Sequence, residues 1–227
     1  MSTDLDHINT TIRYTNWTAF HQLRALSDPE EAQRAFDGFL ETLRDKGIEC
    51  RGAYDIRGFR GDADLLLWLH APEAEAVQEA LRLFQATSFG SHFARTWSGM
   101  GIHRPAEFNR RHVPGFMLGK KPAKWLCFYP FVRSFEWYLL PEGERQEMLV
   151  EHGQAGSQYP QIISNTVASF GLGDYEWLLA LESDELHDIV DMMRDLRYTT
   201  ARLHVREEVP FFTGRRINTE EIGDLYR

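Results

Sequence analysis

The sequence predicts an α+β chain of two tandem ferredoxin-like halves. Each is an antiparallel sheet with helices on one face, the two sheets packing as a dimeric α+β barrel within one chain. Three observations carry this expectation. Strand-like and helix-like patterns follow one another in the order β-α-β-β-α-β, and that order recurs after the midpoint. A connection punctuated by Pro114, Gly115, Gly119 and Pro122 separates the two runs. The chain of 227 residues is long enough to bury a substantial core in one domain or two small ones. The halves are therefore expected at residues 1–105 and 124–227, joined by a loop over 106–123.

Residues 11–23 mix β-branched and aromatic side chains, among them Ile12, Tyr14, Trp17 and Phe20, and read as a strand. Asp28 caps a helix with Pro29 in its first turn, running to about Lys46, where Gly47 stops it. Strands are expected over 48–56 and 64–70, with Gly58 and Gly61 between them. Pro72 opens a second helix with Val77, Ala80, Leu81 and Phe84 on its apolar face, and a strand over 93–102 completes the unit. In the second half, strands are expected over 125–133, 162–170, 176–181 and 203–209. Helices are expected over 142–152 and 185–196, the latter apolar at Leu186, Ile189, Val190 and Met193. The repeat is one of element order, without a residue-by-residue match between halves.

Acidic residues outnumber basic ones, 34 to 25, for a net charge of −9. Nucleic acid is a poor partner for such a surface, since phosphate binding needs clustered basic charge to release counterions. Cys50 and Cys127 are far apart and in no metal-ligand spacing, so neither a disulfide framework nor a thiolate zinc site is indicated. The first residues carry neither a basic leader nor an apolar run, and no stretch reaches membrane-spanning length, so a cytoplasmic protein without a membrane span is expected. There is no Gly-rich phosphate loop, no Gly-x-Ser-x-Gly elbow and no His-Glu-x-x-His helix.

The informative stretch runs from Cys127 to Pro141 and on through Glu151-His152-Gly153. Along a strand, Tyr129, Phe131 and Arg133 share one face, offering a phenol and a fixed positive charge. Pro141 suits the first turn of the helix that follows, where Met148 and His152 share a face and the imidazole stands near the end, before Gly153 and Gly156. A phenol, an arginine and an imidazole brought to one apolar pocket suit a large, flat, anionic, metal-bearing ligand. Taken singly, each residue also has an ordinary reading. His152 can cap helix carbonyls, Tyr129 can pack a strand face, and His112 can sit solvated beside Arg110 and Arg111. Arg133 and Arg197 can be surface charges, and Trp137 can be core.

Tyr129-Pro-Phe-Val-Arg-Ser-Phe-Glu-Trp-Tyr-Leu-Leu-Pro141, followed by Met148-Leu-Val-Glu-His-Gly153, closely resembles the actinobacterial branch of the coproheme decarboxylases, within the chlorite-dismutase-like superfamily. The likeness continues through His103–Asn109, Gly173–Trp177 and Glu207–Gly214. It implies the same tandem fold, a homo-oligomer that in this family is commonly a pentamer, and haem in the C-terminal half. The implied activity is peroxide-dependent decarboxylation of iron-coproporphyrin III, both substrate and redox centre, to haem b through a three-propionate intermediate. That is the final step of coproporphyrin-dependent haem biosynthesis.

The resemblance assigns His152 as axial iron ligand, with Glu182 as candidate acceptor for its other nitrogen. Tyr129 becomes the redox-active tyrosine beside a reacting propionate, and His112 the distal base on the peroxide. Arg133 and Arg197 become propionate contacts, and Trp137 a wall of the pocket. The firmicute pattern has Tyr-Pro-Met-x-Lys where this chain has Tyr129-Pro130-Phe131-Val132-Arg133, so propionate contacts known from that branch do not carry over directly. The alternatives are a chlorite dismutase, a non-catalytic haem-binding protein and a non-haem α+β barrel.

Overall fold

The structure is a computed structural model describing residues 5–109 and 112–227. Its elements are α1 (Leu5–Thr10), β1 (Tyr14–Gln22), α2 (Pro29–Asp45), β2 (Glu49–Asp55), β3 (Leu65–Ala71), α3 (Ala74–Ala86), β4 (Phe93–Ile102), β5 (Trp125–Arg133), α4 (Glu142–Gly156), β6 (Ile163–Ala168), β7 (Trp177–Ser183), α5 (Leu186–Leu196), β8 (Val205–Glu207), β9 (Phe212–Ile217) and α6 (Ile222–Leu225). They form two compact units that are discontinuous in sequence. One joins Ile12–His103 to Phe212–Arg227, and the other joins the segment ending at Thr11 to Arg104–Phe211.

In the first of these units β1 lies between β3 and β4, and β2 lies between β3 and β9, all antiparallel. Every residue of β3 is buried, so its sequence, Leu-Leu-Leu-Trp-Leu-His-Ala, shows no polar alternation. Leu65, Leu67, Leu69 and Ala71 face the helices, where Ala32, Phe36, Phe39 and Leu43 of α2 meet Val77, Ala80, Leu81 and Phe84 of α3. Asp28 caps α2 by accepting from Glu31 N at 2.9 Å. The helix closes on Gly47, whose φ of 69° lets Gly47 N reach Arg44 O and Ile48 N reach Leu43 O. α3 begins two residues after Pro72, because Glu73 stays extended (φ −113°, ψ 144°). Tyr226 is fully buried against Phe89 and Phe93.

In the second unit β7 pairs with β6 and β5, and β5 pairs with β8. The core on the α5 side joins Cys127, Tyr129 and Phe131 of β5 to Leu181, Ile189 and Met192. α4 differs from the other long helices in burying none of its residues fully. It also runs to Gly156, a turn beyond the expected stop, with both glycines inside it.

Both halves follow the predicted element order with small shifts of boundary. The end of the chain differs. The strand expected over 203–209 shrinks to three residues, preceded by a tight helical turn over Thr200–His204. β9 follows as an unanticipated strand pairing with β2, through Ala53↔Ile217 and Asp55↔Arg215. Glu207-Glu208-Val209-Pro210 interrupts the apolar pattern, and Pro210 cannot donate to a sheet ladder, so the anticipated strand stops at Glu207 and a separate strand begins at Phe212. Among the described residues no helix is long and apolar enough to cross a membrane.

Candidate active site

The register of β5 builds one wall of a cleft in the second unit. Tyr129 faces Leu179 across the ladder and Phe131 faces Trp177. Period-two alternation turns Tyr129, Phe131 and Arg133 to one side, and all three line a cleft of about 480 Å³ that opens to solvent. α4 contributes His152. α5 and the turn after it contribute Met193, Leu196, Arg197 and Arg202, and Val205 and Glu208 complete the lining. The result is an apolar slot with guanidinium groups on its rim.

Tyr129 is 6% exposed, its ring stacked on Phe211 with centroids 4.5 Å apart and planes at 24°. Its hydroxyl points at Met193 Sδ, 3.6 Å away. Burial, and after it the charge of Glu208, push the phenol pKa well above its ordinary value, so it keeps its proton at neutral pH.

The tautomer of His152 follows from its neighbour. Thr199 Oγ1 donates to Leu196 O at 2.9 Å, which leaves the hydroxyl oxygen as acceptor toward His152 Nδ1 at 3.4 Å. A proton on Nδ1 leaves the lone pair on Nε2, the arrangement a metal-ligating imidazole requires. Burial, then the positive charge of Arg133 and that of His112 when protonated, hold the His152 pKa below the usual imidazole value, which favours the neutral form. The adjacent Glu151 anchors α4 to the turn, accepting from Thr200 N at 2.8 Å and from the Thr200 hydroxyl. Glu182 does not serve as the second partner expected for His152. It is fully buried elsewhere, accepting from Asn165 Nδ2 at 3.0 Å and from Ala123 N at 3.3 Å.

The Arg133 guanidinium carbon sits over Trp137, 4.2 Å from the ring centroid, with the Phe131 centroid at 5.3 Å. Trp137 is 2% exposed and does not itself line the cleft; it backs the guanidinium that does. Desolvation lowers the Arg133 pKa, but a guanidinium stays charged. Arg197 reaches the cleft as expected, and two unanticipated residues accompany it. Glu208 accepts from Arg197 Nη1 at 2.9 Å and from Arg202 Nη1 at 2.6 Å, bridging the two. Arg202 and Glu208 are visible in the sequence as opposite charges six positions apart, but nothing in their spacing distinguishes them from a solvated surface pair.

His112 stands on the connecting loop, outside the cleft lining and exposed, yet close enough for its charge, when protonated, to act on His152. Desolvation lowers its pKa, so it is a base at neutral pH. Arg110 and Arg111, its neighbours in the sequence, lie outside the described residues. No described group of three His, Cys, Asp or Glu side chains could hold a metal ion. A metal bound at His152 would therefore draw its other donors from the molecule that carries it.

A family model described as chlorite dismutase matches residues 29–217. A coproheme decarboxylase of Mycolicibacterium smegmatis is 48% identical over 222 residues, covering 96% of each chain. Among solved structures, a mutant of chlorite dismutase from Candidatus Nitrospira defluvii superposes with a TM-score of 0.83 at 21% identity, covering 99% of each chain. The same enzyme in complex with imidazole gives a TM-score of 0.83 at 20% identity, again over 99% of each chain. At such identity the structural likeness speaks for the fold.

Proposed function

The chain belongs to the chlorite dismutase family, and within it we propose that this protein is a coproheme decarboxylase, converting iron-coproporphyrin III to haem b with hydrogen peroxide. The observation that carries the reading is the cleft, where a neutral imidazole with Nε2 available, a protonated phenol and three guanidiniums surround an apolar slot. The donor set fits a flat iron porphyrin with carboxylates on its edge, and the coproheme decarboxylase at 48% identity supports the same assignment.

Each turnover takes two electrons and one carbon from a propionate. A propionate, one peroxide and one proton become a vinyl group, carbon dioxide and two waters, and two such steps pass through a three-propionate intermediate. Porphyrin iron, when bound, supplies the peroxide activation. His152 would hold the iron through Nε2, its ring fixed by Thr199. His112 takes the proton from the incoming peroxide, for which a depressed pKa suits it. Tyr129 would give an electron and its proton toward the reduction of the peroxide to water, then recover a hydrogen from the β-carbon of the propionate beside it, whose second electron follows the same way as carbon dioxide leaves. Phenylalanine cannot do this. Arg133 and Arg197, with Arg202 added by the geometry, hold propionates through paired hydrogen bonds. Cytoplasmic localisation and assembly as a homo-oligomer, a pentamer by analogy with the family, belong to the same reading.

Porphyrin mass spectrometry after peroxide addition tests it. The wild-type protein is expected to form the three-propionate species and then haem b, and Tyr129→Phe to bind coproheme without converting it. Normal turnover by Tyr129→Phe removes the role of the phenol. An unchanged coproheme absorption spectrum in His152→Ala removes the ligand assignment.

A further inference from the structure

Glu208 is an acid in a site read as binding a polycarboxylate, and its presence needs a reason. Its side chain is only 14% exposed, whereas those of Arg197 and Arg202 are each 38% exposed, so the carboxylate sits behind and the two guanidiniums stand in front. The contacts fall on one nitrogen of each arginine, Nη1, with Glu208 reaching Arg197 through both its oxygens and Arg202 through Oε2. A guanidinium carries five N–H donors, so Nε and Nη2 of both arginines keep donors for a second carboxylate. Two long, like-charged side chains would separate without a shared counter-charge, losing the geometry that paired recognition requires.

We propose that Glu208 is a positioning residue that yokes Arg197 and Arg202 into a single carboxylate-reading fork at the rim of the cleft, setting the preference for porphyrins that carry a free carboxylate there. The inference rests on the functional reading above. A carboxylate so placed has two opposite effects. It lowers the positive potential felt by an incoming propionate, and it fixes both donors in position. The low exposure of Glu208 and the front-facing placement of both guanidiniums favour the second effect. Bracing dominates where the acid stays behind the donors, whereas competition would require it to share their exposed side.

The test compares iron-coproporphyrin III with its tetramethyl ester, which has the same ring and metal but no charge on its arms, by absorbance titration of the apo-protein. Glu208→Gln is expected to weaken binding of the acid by about tenfold, the loss typical of a charge-assisted contact, while changing binding of the ester less than about twofold. Arg202→Gln is expected to give a similar selective loss, and the double variant no more than the larger single loss, since the two act as one unit. If Glu208→Gln fails to fold, Glu208→Asp keeps the charge but draws the carboxylate back by one methylene, and it is expected to show a smaller loss of the same selectivity. Tighter binding of the acid in either variant would mean that Glu208 competes with the ligand, and equal losses for acid and ester would mean a general structural role. Either result overturns the proposal, as does unchanged binding of both. Wild-type protein that fails to bind the acid is a different outcome, since it removes the coproheme reading together with the fork built on it.

Discussion

Replacing Asn165 with leucine is expected to loosen the loop that carries His112 without touching the cleft lining. Asn165 is fully buried on β6, and its amide spans three partners. Oδ1 accepts from Phe116 N at 2.9 Å, and Nδ2 donates to Glu182 Oε1 at 3.0 Å and Ala180 O at 3.1 Å. Leucine keeps the branching and the number of side-chain heavy atoms but can make none of these bonds. Ala180 O sits opposite position 165 in the β6–β7 ladder, whereas Phe116 N and a carboxylate oxygen of Glu182 lose a hydrogen-bond partner inside the protein. Each such loss costs about 1–3 kcal/mol. The extra apolar burial returns about 1 kcal/mol, leaving a net destabilisation of about 1–5 kcal/mol. Urea unfolding followed by tryptophan fluorescence measures it. Phe116 is also where the loop returns to the sheet, next to Gly115 N→Ser164 O at 3.1 Å. The peroxide-dependent rate should therefore fall more than coproheme affinity. A loss of stability under about 1 kcal/mol would show that the side chain is not the clasp its contacts imply.

Stability should also depend on pH through His70, fully inside the other unit. Burial, then the charges of Arg13 and Arg51, lower its pKa to about 3, and Arg13 Nε donates to its Nδ1 at 2.7 Å, a bond available only to the neutral ring. The unfolded chain binds the proton more readily, so the contribution of His70 is complete above pH ~6.5 and declines as pH falls toward the folded value. The loss is about 2 kcal/mol by pH 5, and the stability gap between wild type and His70→Gln should shrink by that amount from pH 7 to 5; a constant gap contradicts it. Gly90→Ala should lower stability by more than about 2 kcal/mol in a thermal melt, because the added Cβ would lie 1.9 Å from Phe84 O. A wild-type melting curve would show that the backbone there yields easily. Cys50, its thiol pushed up to about 12 by burial, should resist iodoacetamide at pH 8 until the protein is unfolded. Rapid labelling of the native protein, located by peptide mass, would contradict that environment.

Much of this architecture is legible in the sequence because local signals and burial agree. Asp28-Pro29 and Gly47 mark both ends of α2, and the alternation in β5 places Tyr129, Phe131 and Arg133 together without any tertiary information. The features the sequence hides depend on distance along the chain. No local pattern pairs β9 with β2, some 160 positions earlier, and Arg202 acquires meaning only because Glu208 folds back onto it and Arg197. Glu182 shows the same limit from the opposite side. An acid on an otherwise apolar strand is recognisable as unusual, but whether it serves an imidazole or an amide is decided by Asn165, one strand away. α4 is the least legible helix, since its exposed sequence has no buried stripe to set its end, and it continues to Gly156.

The segment from Phe212 onward completes a sheet whose other strands are made first. As the chain leaves the ribosome, β1 to β4 emerge long before the residues that cover Leu26 and Gln22 with the Tyr226 carbonyl. The early-made unit therefore waits for residues 212–227, while Arg104–Phe211 is synthesised in the interval as one continuous stretch. Loss of residues 212–227 would injure the unit whose strands are made first, removing β9 from its sheet, and would leave every residue of Arg104–Phe211 in place.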